Sequence, residues 1–103
     1  MGPAAGRVMS DVVVHQVLFY DYVENAVEAR APYRADHLAL IAQWKADGRL
    51  VSGGALGQPP TGAMLIFLVE DAAEVEAFVA VDPYVANGVV MGHRIVPWTV
   101  VRG

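Results

Sequence analysis

Apolar and polar positions along the chain predict four strands. Residues 12–20 are mostly β-branched or aromatic, and apolar residues occur at both odd and even positions, which is typical of a strand with both faces covered. Residues 49–56 and 62–69 are predicted as two further strands, and the Gly- and Pro-rich turn between them favours a hairpin. The last strand spans residues 93–101, where Pro97 lacks a backbone N–H and therefore predicts a position at a sheet edge.

Two other segments space their apolar residues as helices do. The first spans about 32–47, with Pro32 in its first turn and Gly48 at its C-terminal end. The second begins after Asp71, which is suited to an N-cap, and is ended by Pro83. A loop is predicted between this second helix and the last strand.

The predicted order of elements is strand, helix, strand, strand, helix, strand, with the loop covering residues 84–92. This order is typical of a ferredoxin-like α+β fold, in which a four-stranded antiparallel sheet carries both helices on one face. Residues 1–11 are rich in Gly, Ala and Pro and lack periodicity, so we predict a flexible tail there. Residues 12–103 are predicted to form a single domain.

The second face of this sheet has no predicted cover, although the first and third strands are apolar at both parities. Hydrophobic residues make up 55% of the chain and charged residues 17%, which is apolar for a small domain with much surface per volume. We therefore expect apolar surface to be buried against a partner. The simplest partner is a second copy, whose sheet stacks on the first in a two-fold homodimer.

The charge pattern argues against several classes of function. The net charge of −4 and the pI of about 5.1 predict neither a nucleic-acid partner nor a membrane partner, because both require clustered Lys and Arg. The lack of cysteine removes disulfides and thiolate nucleophiles and fits a cytoplasmic protein. No apolar run reaches the length of a membrane span and no signal peptide is evident, which gives the same expectation of a cytoplasmic location.

The motifs predict no cofactor and no metal site. The glycine-rich residues 53–57 lie within and after a strand, without the Lys-Ser or Lys-Thr of a phosphate-binding loop. The three histidines, His15, His37 and His93, lack the spacing of a local metal site. We therefore expect any catalysis to depend on the side chains of the protein alone.

Asp82 and His37 are the residues with the clearest chemical interest. Asp82 lies at the predicted end of the second helix, where the helix dipole opposes a negative charge, and His37 lies on the inward face of the first helix. If the helices run side by side and antiparallel, the two side chains lie near each other, and a carboxylate can orient an imidazole for proton transfer. Alternatively, Asp82 only initiates an Asp-Pro turn, and His37 is a partly buried histidine with one hydrogen bond.

Other polar residues are candidates for contacts with a small-molecule ligand. Arg34 precedes His37 by one helical turn and either binds an anionic oxygen or pairs with Asp82, while Tyr84 is placed to cover a pocket. His15 either lines the same cleft or belongs to the core or the dimer face.

Four blocks of the sequence resemble the YCII-related family. They are RADHL at residues 34–38, GRLVSGG at 48–54, DPYVANGV at 82–89 and IVPW at 95–98. Their order and spacing extend the resemblance over residues 12–101. The resemblance implies a ferredoxin-like fold of the dimeric α+β barrel type.

The resemblance also implies roles for individual residues. It assigns the family's facing His and Asp, a catalytic pair in a cleft, to His37 and Asp82, and its Arg to Arg34. The family's Ser-Gly segment corresponds to Ser52 and its neighbouring glycine, so the resemblance implies that Ser52 contacts the substrate in the same cleft. At Ala55 the sequence departs from the family, where a Gly-Pro pair is frequent. Most members have no assigned reaction, but dehydrochlorination of a hydroxylated aromatic occurs in the family.

Two hypotheses of function follow from the residues and the resemblance together. The first is a small cofactor-independent enzyme, a lyase or an isomerase, in which His37 oriented by Asp82 moves protons on an aromatic or enolisable substrate while Arg34 stabilises negative charge. The second is a non-catalytic module that binds a small ligand, in which the same pair only ties two helix ends together.

Overall fold

The computed structural model describes residues 12–101, so the predicted tail at residues 1–11 lies outside the described residues. The chain forms, in order, β1 (Val12–Tyr22), α1 (Ala26–Arg30), a 3-10 turn (Ala31–Tyr33), α2 (Arg34–Ala46), β2 (Leu50–Leu56), β3 (Gly62–Phe67), α3 (Ala72–Val81), α4 (Pro83–Ala86) and β4 (Val90–Val101). No helix within residues 12–101 combines the length and the apolar character that crossing a bilayer requires.

The four strands form one antiparallel sheet in the order β2-β3-β1-β4. This order, together with the helices between the strands, confirms the predicted ferredoxin-like α+β fold. Pro97 lies in β4, which is an edge strand as predicted, because a residue without an N–H is tolerated where no second neighbour needs it. Gly62 lies at the start of β3, where a Cβ would overlap the carbonyl oxygen of Tyr20 on β1. A glycine is therefore needed for the two central strands to approach each other there.

One face of the sheet and both long helices form the core. Trp44 of α2, Phe67 of β3 and Phe78 of α3 meet edge to face, with ring centroids 5.2 to 5.8 Å apart. All three rings are buried, and burying such side chains stabilises a fold by about 1.5–3 kcal/mol each. This cluster fixes α2 and α3 side by side on the same face, as the predicted fold requires.

The ends of the long helices follow from local sequence. Asp71 accepts a hydrogen bond from the N–H of Ala73 at 2.9 Å and thus caps α3. Gly48 has a φ of 78° just after α2, and the N–H of Arg49 donates to the carbonyl oxygen of Trp44 at 3.1 Å. This is a Schellman ending, and the left-handed conformation that it needs favours glycine.

Two short helices were not predicted. The helix α1 spans five residues and begins after Asn25, which has a φ of 50°, and a helix this short shows no periodicity. Because α1 continues into the 3-10 turn that holds Pro32, α2 begins at Arg34 and not at the proline.

The second unpredicted helix corrects the expected loop over residues 84–92. Pro83–Ala86 is the helix α4, because Pro83 is preorganised for a first helical position and Asp82 caps it. β4 then starts at Val90, so little of the expected loop is left.

Candidate active site

The carboxylate of Asp82 is fully buried and accepts three hydrogen bonds. The hydroxyl of Tyr20 donates to Oδ2 at 2.7 Å, and Nδ1 of His37 and the backbone N–H of Tyr84 donate to Oδ1 at 2.8 and 3.0 Å. Burying a carboxylate is costly unless donors surround it, and these donors come from β1, α2 and α4. Since an ionised carboxylate only accepts, the arrangement places the proton of the His37 ring on Nδ1.

The backbone around Asp82 explains why a carboxylate follows α3. Asp82 has extended backbone dihedrals, φ −74° and ψ 121°, so it ends α3 and begins α4 at the same residue. The opposing dipole of α3 is offset because the side chain caps α4 through the N–H of Tyr84, a contact type worth about 1 kcal/mol. The position is therefore a helix junction, and Pro83 enforces it.

The ring of His37 is held on two sides. Its Nδ1 edge contacts Asp82, and its face stacks on the ring of Tyr84 with centroids 3.7 Å apart and planes 7° apart. The residue is 6% exposed, yet it lines a cavity, and within residues 12–101 its Nε2 atom has no hydrogen-bond partner. Nε2 is thus the ring nitrogen that a bound molecule can reach.

The cavity beside His37 has a volume of about 220 Å³. The positively charged side chains of Arg30 and Arg34 lie on its wall. Small residues of β2 and β3 also line it, namely Gly53, Ala55 and Ala63. Pockets for drug-sized ligands measure roughly 300–1,000 Å³, so this cavity suits a smaller compound, about the size of one ring.

The tyrosines of the site stay protonated at neutral pH. Burial raises the pKa of Tyr20 well above its usual range, and the adjacent negative charge of Asp82 raises it further. Burial also raises the pKa of Tyr22 to about 12 and raises the pKa of Tyr84. The hydroxyl of Tyr20 therefore remains a donor to Asp82, and none of these phenols serves as a base.

A sequence profile of the YCII-related domain family matches residues 14–99. The chain belongs to the YCII-related domain family. No functionally curated protein matches the sequence significantly. The match confirms the resemblance seen in the four sequence blocks.

Solved structures similar to this YCII-related chain support the fold. A 5-chloro-2-hydroxyhydroquinone dehydrochlorinase from Burkholderia phenoliruptrix, in complex with 2,5-dihydroxybenzoquinone, has a TM-score of 0.69 and 24% identity over 82% of this chain and 92% of that chain. A protein from Agrobacterium tumefaciens has a TM-score of 0.54 and 15% identity over 84% and 91% of the two chains. An antibiotic biosynthesis monooxygenase has a TM-score of 0.53 and 12% identity over 86% and 99%. At these identities the likeness establishes the fold.

The structure brings together four of the residues singled out in the sequence. His37, Asp82 and Tyr84 are in direct contact, and Arg34 lines the same cavity as His37. Asp82 is bonded to His37 and not to Arg34. Of the two alternatives for Arg34, an anionic oxygen of a ligand or the carboxylate of Asp82, the second is therefore not observed.

Ser52 and His15 do not line this cavity, which corrects the expected position of Ser52 and leaves the second of the two alternatives for His15. Alternation along β2 turns Gly53 and Ala55 toward the helices, whereas Ser52 lines a groove with Met64 on the other face of the sheet. His15 contacts Trp98 at a centroid distance of 6.1 Å on that same face, because the positions of β1 that face the core are the even-numbered ones.

Two residues of the site were missed by the sequence reasoning. Tyr20 shares its parity in β1 with the buried Leu18, which is a signal for an inward side chain but not for a contact with Asp82. Arg30 precedes Arg34 by one helical turn, but the sequence pattern predicts a helix start at Pro32 and so leaves Arg30 outside the helix.

Proposed function

We propose that this YCII-related protein is a small enzyme in which His37, oriented by Asp82, transfers protons to and from a small substrate. The observation that carries the proposal is the 2.8 Å bond from Nδ1 of His37 to a fully buried carboxylate, with the opposite ring nitrogen available to a cavity of about 220 Å³. General acid–base catalysis requires an oriented base in a fixed tautomer next to a space for the substrate. The His37–Asp82 pair supports the first requirement and the adjacent cavity supports the second.

The mechanism follows from the hydrogen bonds of the ring. With the proton on Nδ1, the lone pair of Nε2 accepts a proton from the substrate, and the carboxylate of Asp82 stabilises the imidazolium that forms. The electron pair of the broken bond then forms a new double bond. In a lyase reaction a leaving group departs with its own electron pair, and in an isomerase reaction the imidazolium returns the proton at another atom.

Both reactions use protons only, so the proposed enzyme is independent of redox cofactors. Arg34 lines the cavity and stabilises the negative charge that develops on the substrate when the proton leaves. Support for an elimination comes from the dehydrochlorinase that shares this fold, whose complex contains a one-ring quinone. We therefore propose an aromatic or enolisable one-ring substrate.

A second candidate is a non-catalytic module that binds a small ligand. It is favoured by one observation, namely that the bonds to Asp82 join β1, α2 and α4 and thus tie separate elements together. In this case the network serves stability, and the cavity holds a ligand without converting it.

Turnover by His37→Ala tests the proposal against a panel of halogenated and hydroxylated one-ring aromatics, followed by ultraviolet absorbance. His93→Ala is the matched control, because His93 is an exposed histidine that contacts Glu76 at 2.9 Å outside the cavity. We expect His37→Ala to lose about 10²–10⁴-fold in kcat, the range that general acid–base groups contribute, while His93→Ala keeps wild-type turnover. If the two variants turn over any substrate equally well, the catalytic role of His37 is refuted.

We further propose that the open face of the sheet is covered by a second copy of the chain. This face carries an apolar groove of about 250 Å³ lined by residues of β1, β3 and β4, namely Val17, Phe19, Met64, Val96, Pro97 and Trp98. Trp98 is 42% exposed at this groove. A two-fold copy would bury the same face on both chains, as expected for a symmetric dimer.

A further inference from the structure

Arg30 and Arg34 reach the same cavity from two different elements. Arg30 is the last residue of α1 and Arg34 is the first residue of α2. The 3-10 turn between them keeps the backbone in right-handed helical conformations, so the two side chains project about one turn apart. Both line the cavity that His37 also lines.

Neither guanidinium has a hydrogen bond or an ion pair to any residue in the described range 12–101. The other two arginines of that range each contact another side chain, and neither lines this cavity. Arg49 bonds to Asp47 at 2.8 Å and stacks on a tryptophan ring, and Arg94 lies 4.3 Å over the ring of Phe19. Arg30 and Arg34 are thus the arginines whose charge is left uncompensated beside a cavity.

This placement is electrostatically unfavourable without a ligand. Like charges one helical turn apart repel each other, and Arg30 is half-buried, so water screens it incompletely. The chain carries a net charge of −4, yet it concentrates two unpaired cations at one small cavity. An anion bound between the guanidiniums would remove the repulsion.

The positive field of both side chains extends to the aromatic wall of the cavity. Burial raises the pKa of Tyr84, and the charges of Arg30 and Arg34 act against that rise. Burial likewise raises the pKa of Tyr22, and Arg30 opposes it. Both tyrosines line the cavity, so negative charge is stabilised within it.

We propose that Arg30 and Arg34 together bind a carboxylate of the substrate, which makes the substrate class a one-ring aromatic carboxylate. A planar guanidinium presents parallel N–H donors that match the two oxygens of a carboxylate, and the stacked His37 and Tyr84 rings together with the small residues of β2 suit a flat molecule. The inference rests on the proposed function only in placing the ring of the substrate next to His37. Arg30 becomes a specificity-determining residue.

Binding of benzoate, compared with benzamide as its uncharged counterpart, tests this inference by calorimetry or by nuclear magnetic resonance titration. We expect benzoate to bind at millimolar concentration and benzamide about tenfold more weakly. Arg30→Gln and Arg34→Gln should each weaken benzoate binding about tenfold, as expected for one charge-assisted hydrogen bond, and leave benzamide unchanged. Arg94→Gln is the matched control and should bind benzoate as the wild type does.

Three results would overturn the inference: no benzoate binding at millimolar concentration, equal binding of benzoate and benzamide, or equal loss in Arg30→Gln and Arg94→Gln. The melting temperature of Arg30→Gln should equal or exceed that of the wild type, because a repulsive charge is removed. A purely structural arginine would instead lower it.

A second variant separates this inference from the proposed function. Asp82→Asn impairs proton transfer but leaves both arginines, so it should retain benzoate binding. If His37→Ala keeps full turnover while the arginine variants lose benzoate, the acid–base role fails and the anion site stands. If His37→Ala loses turnover while benzoate and benzamide bind equally, the anion site fails and the acid–base role stands.

Discussion

The hydroxyl of Tyr20 donates a 2.7 Å hydrogen bond to Oδ2 of Asp82, the carboxylate oxygen that His37 does not contact. The two side chains are 62 positions apart in sequence, and both are buried. The carboxylate that contacts His37 is therefore itself held in place, because donors bond to both of its oxygens. If the proposed mechanism holds, Tyr20 acts through Asp82 as a positioning residue.

Replacement of Tyr20 by Phe should change both stability and the pH dependence of turnover. The buried Oδ2 loses its donor, which costs about 1–3 kcal/mol of unfolding free energy. The unshared negative charge then favours the imidazolium of His37, so the acid limb of the pH–rate profile should move to higher pH. Chemical denaturation and pH–rate profiles measure the two effects.

Tyr33→Phe is the matched control for this variant, because Tyr33 is only partly buried and has no hydrogen-bonded hydroxyl within the described residues. The Tyr33→Phe variant should have the same pH–rate profile as the wild type. A Tyr20→Phe enzyme that is less stable but has an unmoved acid limb would mean that Tyr20 is structural only.

Replacement of Asp82 by Asn separates the catalytic hypothesis from the binding-module hypothesis. The amide keeps the shape of the side chain, its oxygen can accept from His37 and from the N–H of Tyr84, and its NH₂ can donate to the hydroxyl of Tyr20. We expect a small change in melting temperature and a loss of kcat of about 10²-fold or more, because the imidazolium loses its counter-charge.

If the charge of Asp82 mainly ties the elements together, the outcome should be reversed. The melting temperature of Asp82→Asn would then fall by many degrees while ligand affinity and any turnover stayed near wild type. Thermal melting and steady-state kinetics on the same preparation distinguish the two cases.

Alkaline conditions should destabilise the fold through its buried phenols. The pKa of Tyr22 is raised to about 12 in the folded protein, so the folded state keeps a proton that the unfolded chain releases near pH 10. The stabilisation is fully present below pH 10 and should be lost as the pH rises through 12, by about 2–3 kcal/mol for this one group. Denaturant titrations at pH 9 to 12 measure the slope.

Tyr22→Phe should flatten this alkaline slope, because a phenylalanine has no proton to lose. Its remaining slope reports the other raised phenols, Tyr20 and Tyr84. An alkaline slope that is identical in wild type and Tyr22→Phe would contradict the raised pKa of Tyr22.

Trp98→Glu tests the proposed homodimer. A charge at this 42% exposed position would be buried between two stacked sheets, so the variant should sediment as a monomer while the wild type sediments as a dimer at micromolar concentration. Val81→Glu is the control, since Val81 is 60% exposed at the end of α3 on the helical side. A monomeric wild type would refute this mode of assembly.

Much of the fold follows from local sequence. The order of strands and helices along the chain follows from the spacing of apolar residues. The edge position of the strand with Pro97 and the ending of α2 at Gly48 each depend on a residue whose backbone chemistry allows few alternatives. The proximity of His37 and Asp82 also follows, because two antiparallel helices on one sheet face have their opposite ends adjacent.

The missing parts depend on contacts that no local pattern encodes. A helix as short as α1 or α4 is stabilised by what it packs against, so its apolar spacing carries little information. The hydroxyl of Tyr20 meets Asp82 only through the register that pairs β1 with β3 and through α3 lying over them. Ser52 was misplaced because a register shift between Leu50 and Ser52 decides which residues of β2 face the cavity.

The junction at Asp82 also has a consequence for synthesis of the chain. One oxygen, Oδ1, accepts from both the ring of His37 and the N–H of Tyr84, whose own ring stacks on His37. The two side chains that bond to the carboxylate lie 45 and 62 positions earlier in sequence. A nascent chain therefore has no part of this network until Asp82 has left the ribosome. Under the proposed mechanism, turnover would begin only after the elements from β1 to α4 have assembled.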